Sequence, residues 1–316
     1  MTAATSAAAA LSGAEALAAL RAGGKGALAR ALAGLERAPE SPETLALLDA
    51  AHAAARGRVV GLTGPPGVGK STLLGSLIRA WRAQGRSVGV IAVDPSSRRS
   101  GGALLGDRMR LLSDPDDAGL FVRSMAARDR LGGLAEMTMG AMVLMRAVFD
   151  VVLIETVGVG QSETDVAGAA DTVVFAIQPG SGDSLQFMKA GIVEIPDVAV
   201  VTKADMGAPA ERALADLNGA LGLSAPRAGG WTVRTLALSA ERGDGVPDLV
   251  GAMAAHWDWL DADDRLHAAR HRQDAAWLHE ALRERYGREG LKRYGPVTLA
   301  PGESPFARLA ALTGAV

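Results

Sequence analysis

Apolar positions fall into two regimes along this chain. Between residues 11 and 56, Leu11, Ala14, Leu17 and Leu20 recur at helical spacing in a background rich in Ala, Leu, Arg and Glu. Gly23-Gly24 and the stretch from Pro39 to Pro42 interrupt this pattern, which predicts short helices packed on the region beyond residue 57. Ser41-Pro42-Glu43 reads as an N-cap with proline at the first helical position. From Arg58 onward, short apolar runs alternate with helical ones. Strands are predicted over Val59–Gly64, Val88–Asp94, Val151–Glu155, Thr172–Gln178, Val198–Lys203 and Leu236–Ser239. Helices are predicted over Lys70–Gln84, the methionine-rich Leu131–Phe149, and Val246–Leu260. Such alternation argues an α/β fold with a mainly parallel sheet flanked by helices. Residues 261–286 read as a charged helix with few apolar anchors (Leu266, Ala269, Trp277, Leu278, Leu282), and the tail from Gly287 reads as irregular. The expected organisation is a helical N-terminal extension over 1–57, an α/β domain over 58–260 and a helical C-terminal extension over 261–316.

Composition narrows the function classes. Hydrophobic residues make up 48% of the 316 and aromatics 4%, so the core is aliphatic. Lys plus Arg number 33 against 35 Asp plus Glu, which leaves no global basic field to recruit nucleic acid. The absence of cysteine excludes disulfides, thiolate metal sites and cysteine nucleophiles. No apolar run approaches the roughly 18 residues that span a bilayer. Met1–Ala10 lacks a basic n-region and reads as a frayed terminus. The expectation is a cytoplasmic protein with neither nucleic acid nor membrane as partner.

The segment from Val59 to Thr72 carries the strongest chemical signal. It matches G-x-x-x-x-G-K-[ST] with Gly64, Gly69, Lys70 and Ser71 in place, between an apolar strand and a helix. Gly64, Gly67 and Gly69 permit a backbone that turns successive N–H groups inward as an anion nest, and the helix beginning near Lys70 adds its positive end. Lys70 is placed to reach the β- and γ-phosphates, and the Ser71 hydroxyl to ligate Mg²⁺. In parallel α/β sheets ligands lie at the carboxyl ends of the strands. Glu155 ends the run Val151-Val152-Leu153-Ile154, the position of a Walker B acid; Asp94 ends another strand and is followed by Pro95. Spacing alone leaves Asp107 open. Gly158 would let the backbone approach the γ-phosphate, and the glycine-punctuated 157–163 segment, Gln161 included, suits a nucleotide-controlled switch.

Base choice is expected from Thr202-Lys203-Ala204-Asp205, after the apolar run Val198–Val201. A carboxylate at Asp205 can accept from guanine N1–H and its 2-amino group, a donor pair that adenine lacks. The Lys203 stem can cover the base, and Ser239-Ala240 can offer backbone N–H groups to O6.

These residues together identify a resemblance. GPPGVGKST (64–72, including Pro66, Val68 and Thr72), VDPSSRRSGGALLGDRMR (93–110), ETVGVGQSE (155–163), PGSGDSLQFMKAGI (179–192), TKAD (202–205) and LSA (238–240) resemble the MeaB/ArgK family of P-loop GTPases. That family comprises the G-protein chaperones of adenosylcobalamin-dependent acyl-CoA mutases, and the likeness covers roughly residues 58 to 250. It implies a P-loop NTPase that binds GTP and GDP, with Ser71, Asp94, Asp107 and Glu155 around Mg²⁺ and with Asp107 and Glu155 supporting hydrolysis. It further implies a third switch at 179–191, where Asp183, Gln186 and Lys189 communicate with the mutase, and a homodimer assembled through C-terminal helical arms. Thr202 stands where most of the family has Asn.

Two other readings compete with this one. A small-molecule or protein kinase, or a transport-system ATPase, needs an acceptor domain that the sequence does not display. A nickel-delivery GTPase relies on His- or Cys-rich tracts, whereas this chain has five scattered histidines, of which His267 and His271 read as helix-surface residues. Met137, Met139, Met142 and Met145 read as helix packing.

Overall fold

The central strand-forming runs are aliphatic without a polar alternate, the pattern that burial on both faces demands. In the computed structural model, which describes residues 11–95, 114, 116–127, 136–156, 165–180, 195–222 and 230–314, seven strands form one sheet. They are β1 Arg58–Thr63, β2 Val88–Pro95, β3 Leu120–Ala127, β4 Val151–Glu155, β5 Thr172–Ile177, β6 Val198–Val201 and β7 Arg234–Ala237. Every neighbouring pair is parallel, in the order β3-β2-β4-β1-β5-β6-β7. Strand β4 lies between β2 and β1, with Glu155 level with Leu62 on one side and Ala92 on the other.

Side chains alternate between two helical layers. Val59, Val152, Ile154 and Val173 pack against α1 (Gly13–Ala22), α2 (Gly24–Arg37), α3 (Pro42–Ala53) and α5 (Glu136–Val148). Val60, Leu62, Leu153 and Val174 pack against α4 (Lys70–Ala83) and α7 (Val246–Asp261), where Trp81 and Trp257 stack at 6.2 Å. Helix α6 (Ala208–Gly222) covers β5 and β6 through Ala210 and Leu217. Met139, Met142 and Met145 are buried in the first layer, consistent with a packing role. Gly61 in β1 is required by contact: a Cβ there would lie 2.4 Å from Val166.

Capping explains where several helices begin. Ser12 and Glu15 form a reciprocal capping box on α1. Ser41 Oγ accepts from Thr44 N at 3.2 Å with Pro42 at the first helical position of α3. The same device recurs at Ser304-Pro305, and here the expectation of an irregular tail from Gly287 fails. Helix α8 runs Arg265–Tyr294 across a break at Gly287 (φ 65°), and a further helix, α9 (Pro305–Thr313), comes after it. Phe306 packs on Trp277 at 4.9 Å, and Leu309 joins Leu278 and Leu282 in a small apolar cluster. Strand β3 and helix α6 were also outside the expected elements, and the last strand is Arg234–Ala237, so Ser239 lies beyond it. No helix among the described residues is long and apolar enough to cross a membrane.

Aspartates at the amino edge fasten the sheet. Asp171, just before β5, accepts from Val59 N at 2.8 Å and takes a two-pronged ion pair from Arg270 of α8 at 2.8 and 2.7 Å. Burial alone would raise its pKa. The Arg270 hydrogen bonds and charge, with Arg146 adding to them, outweigh that and hold the carboxyl below its ordinary value of 3.8. A group depressed in the folded state stabilises above its unfolded pKa and loses that contribution as pH falls through the folded one. Asp171→Ala strands a largely buried guanidinium and should lower stability by about 3–5 kcal/mol at neutral pH. In urea unfolding followed by circular dichroism, the gap between variant and wild type should narrow once pH drops below about 4. A gap independent of pH would contradict the ion-pair account.

Candidate functional site

The loop between β1 and α4 starts where Gly64, with φ 141°, passes so close to β5 that a Cβ would meet Ala176 O at 2.1 Å. Gly67 and Gly69 take φ 80° and 94°, bending the chain around a concavity at the carboxyl edge of the sheet. No side chain caps α4, so its first-turn N–H groups, those of Ser71 and Thr72 among them, are presented to a ligand. Lys70 is buried and its Nζ donates to Gly64 O at 2.7 Å and Pro65 O at 2.9 Å, which holds an ammonium across the loop. Pro66 and Gly67 are exposed at the rim, while Val68 anchors the loop in the core at 1% exposure.

Across from the loop, Ser71 Oγ donates to Glu155 Oε1 at 2.8 Å. Glu155 is 2% exposed at the end of β4, and the next residue, Thr156, bonds Leu62 O and Thr63 Oγ1 at the end of β1. A hydroxyl and a carboxylate oxygen side by side beside the phosphate loop form a hard-oxygen donor set, which would suit Mg²⁺. Asp94 lies in β2 level with Ala126 of β3, at the same carboxyl edge. The side chain of Asp94 lies outside the described residues, as do Asp107, Gly158, Gln161, Asp183, Gln186 and Lys189.

The residues expected on the base side come from the ends of β6 and β7. Thr202 is buried, and its Oγ1 lies 2.7 Å from Val68 O and 2.9 Å from Ile177 O. Its hydroxyl therefore pins the phosphate loop to the sheet from below. Lys203 takes a left-handed backbone (φ 55°), and its Nζ bonds Gln178 Oε1 and lies 3.4 Å from Gly67 O. Asp205 is exposed beyond the end of β6. The Ser239 hydroxyl, then its own backbone N–H, holds Asp205 below the usual carboxylate range, so it stays an ionised acceptor.

One reading of the 238–240 segment needs correction, and one contact to it was missed. The Ser239 N–H donates to Asp244 O at 2.9 Å, so this amide is engaged within its own loop, and what Ser239 contributes is its hydroxyl on Asp205. Ser76 was missed altogether. Its Oγ bonds Ala240 O at 2.7 Å and ties α4 directly to the base-side loop. A buried serine in an otherwise apolar stretch of α4 was the available signal. His267 is exposed beside Asp264 at 2.9 Å, and no group of three or more metal-ligating residues occurs among the described residues.

Comparisons with known proteins agree on one family. A family profile described as "Methylmalonyl Co-A mutase-associated GTPase MeaB" matches residues 28–290. A Pyrococcus abyssi protein is 45% identical over 218 residues, covering 68% of this chain and 67% of its own length. "GTPase ArgK" of Escherichia coli is 36% identical over 248 residues, 76% of this chain and 75% of that protein. A crystal structure titled "LAO/AO transport system kinase" superposes with a TM-score of 0.68 at 28% identity, covering 96% of this chain and 97% of that one.

Ser239→Ala removes the hydroxyl that orients Asp205 and should weaken GTP binding by about tenfold, roughly 1.4 kcal/mol. Asp205→Asn should weaken GTP further and favour xanthosine triphosphate, whose 2-oxo group accepts from an amide. Fluorescent-nucleotide competition reads both. Unchanged GTP affinity in either variant would remove Asp205 from the base site.

Proposed function

The chain belongs to the MeaB family of methylmalonyl-CoA mutase-associated GTPases, and from that membership we propose that it couples GTP hydrolysis to the cofactor loading and protection of an adenosylcobalamin-dependent acyl-CoA mutase. The GTPase assignment fixes the reaction class; the site residues supply its parts. The observation that carries the reading is the Ser71–Glu155 pair, 2.8 Å apart under the phosphate loop.

Phosphoryl transfer asks a protein for positioning and charge neutralisation rather than covalent chemistry. In this reading the loop amides and Lys70 hold the phosphates, and Asp205 with Lys203 fixes the guanine. Ser71 and Glu155, with Asp94 and Asp107, would hold Mg²⁺, which when bound offsets charge on the β- and γ-phosphate oxygens. Glu155 and Asp107 support attack by water. Gly158 and Gln161 lie in a segment that reports the γ-phosphate, and Asp183, Gln186 and Lys189 relay that state to the mutase.

A physical route for the signal is available on the far side of that segment. Residues 167–171 follow the 157–163 segment after three intervening residues, and α8 grips them: Gln273 Nε2 donates to Ala167 O and Ala170 O at 2.9 and 2.8 Å, and Arg270 holds Asp171. A γ-phosphate contact that shifts the segment therefore pulls on the C-terminal helices. The proposed assembly is a homodimer formed through those helices, working in the cytoplasm.

Lys70→Ala should lower GTP turnover on the order of 10²–10³-fold, and Glu155→Ala should lose Mg²⁺-dependent turnover more than GDP binding. Intrinsic turnover should be slow and accelerated by saturating methylmalonyl-CoA mutase in a phosphate-release assay. Lys189→Ala should keep the intrinsic rate and lose the acceleration, since only the coupling between the two sites is removed. Mutase that leaves the wild-type rate unchanged would overturn the partner assignment while leaving the GTPase itself intact.

A further inference from the structure

Arg146 closes α5 at the amino edge of the sheet, opposite the phosphate loop. Its carbonyl accepts from Arg56 N and Gly57 N, just before β1 begins. The residue is 3% exposed, and among the described residues its Nε has no hydrogen-bond partner. Burial, and then the neighbouring Arg270, push its pKa down to about 10, so at neutral pH it remains a cation.

The acidic neighbours are committed elsewhere. Asp171 is taken by Arg270 and the Val59 amide, and Asp274 Oδ2 lies 2.9 Å from His52 Nε2. Both carboxylates act on Arg146 only through space. Arg146 lines a cavity of about 430 Å³ between α3, α8 and the 301–303 turn, together with His52, Arg270, His271 and Asp274. At its mouth Asp264 pairs with His267 at 2.9 Å, and Glu303 accepts from Ala300 N at 2.8 Å. With these groups so engaged, Arg146 Nε is a buried donor at the cavity wall that no group among the described residues accepts from, and Asp171 and Asp274 offset its charge only through space.

A buried charged donor without a hydrogen-bond acceptor is unfavourable unless a ligand supplies one. A guanidinium fork matches the paired oxygens of a carboxylate or a phosphate, and a cavity of this size falls in the range that holds small organic ligands. We propose that this cavity is a second ligand site, binding a small organic oxyanion, a carboxylate or phosphate ester, with Arg146 as its counter-ion and His52 and His271 at its rim. It lies at the amino edge, where α8 is fastened to the sheet, so occupancy would stiffen the Arg270–Asp171 junction.

The test titrates the full-length protein, saturated with GDP and Mg²⁺ in low-salt buffer, with inorganic phosphate in one arm and succinate in the other. Melting temperature and calorimetry are read. Binding in the phosphate arm alone assigns a phosphate-bearing ligand, and binding in the succinate arm alone a carboxylic acid; either supports the site. Lys70→Ala must bind the same anion with unchanged affinity, which separates the cavity from residual binding at the phosphate loop. Arg146→Met should weaken binding by tenfold or more. If that variant does not fold, Arg146→Lys, which keeps the charge and loses the fork, should weaken it severalfold. Failure of both anions to bind wild type at millimolar concentrations, or equal binding by the Arg146 variants, would overturn the proposal.

Discussion

Parallel register is the constraint on which the rest of this molecule depends, and three aspartates at the amino edge set it. Asp150 before β4 accepts from Ser87 N, Asp171 before β5 from Val59 N, and Asp197 before β6 from Val173 N, each at 2.8 Å. Each carboxylate thus locks the start of one strand to the backbone of its neighbour. A slip of one residue would send every side chain of a strand to the opposite layer. It would also carry Glu155 away from Ser71, because the two meet only while β4 stays level with β1. The chemistry at the carboxyl edge is therefore held from the amino edge.

The same edge explains how the two ends of the chain belong to the sheet. The N-terminal helices share one apolar cluster with β1, β4 and α5. The C-terminal helix α8 is joined through Arg270 to Asp171, just before β5, and to Gly57 O at 2.9 Å, just before β1. Helix α9 then closes over α8, with the Ser304 hydroxyl bonded to Asp49 of α3. The extensions are fastened where strands begin, at the edge opposite the phosphate loop.

Much of this was legible in the sequence because burial and chemistry leave unlike marks. Central strands such as Val151–Glu155 are unbroken aliphatic runs, and their bounds emerge closely from pattern. Strand β3 was not legible: it lies at the sheet edge, and Arg123 and Ser124 break its apolar run. Helix α9 carried its own signal in Ser304-Pro305, but a nine-residue helix offers few turns of periodicity. At the site, Gly64, Lys70, Ser71, Glu155 and Asp205 were named from spacing. The contacts that support them were not, although Thr202 and Ser239 were themselves named. Thr202 beneath Val68, Ser76 on Ala240 and Ser239 on Asp205 act through tertiary contacts between distant segments, and single hydroxyls leave no periodic trace.

The central claim is that this arrangement selects a guanine nucleotide at the carboxyl edge. Calorimetric titration of the full chain with GTP and with ATP, each with Mg²⁺, tests it most directly. The account predicts GTP binding at least a hundredfold tighter, since adenine leaves the Asp205 acceptors unmatched, a difference of roughly 2.7 kcal/mol. Comparable affinities for the two nucleotides would contradict it.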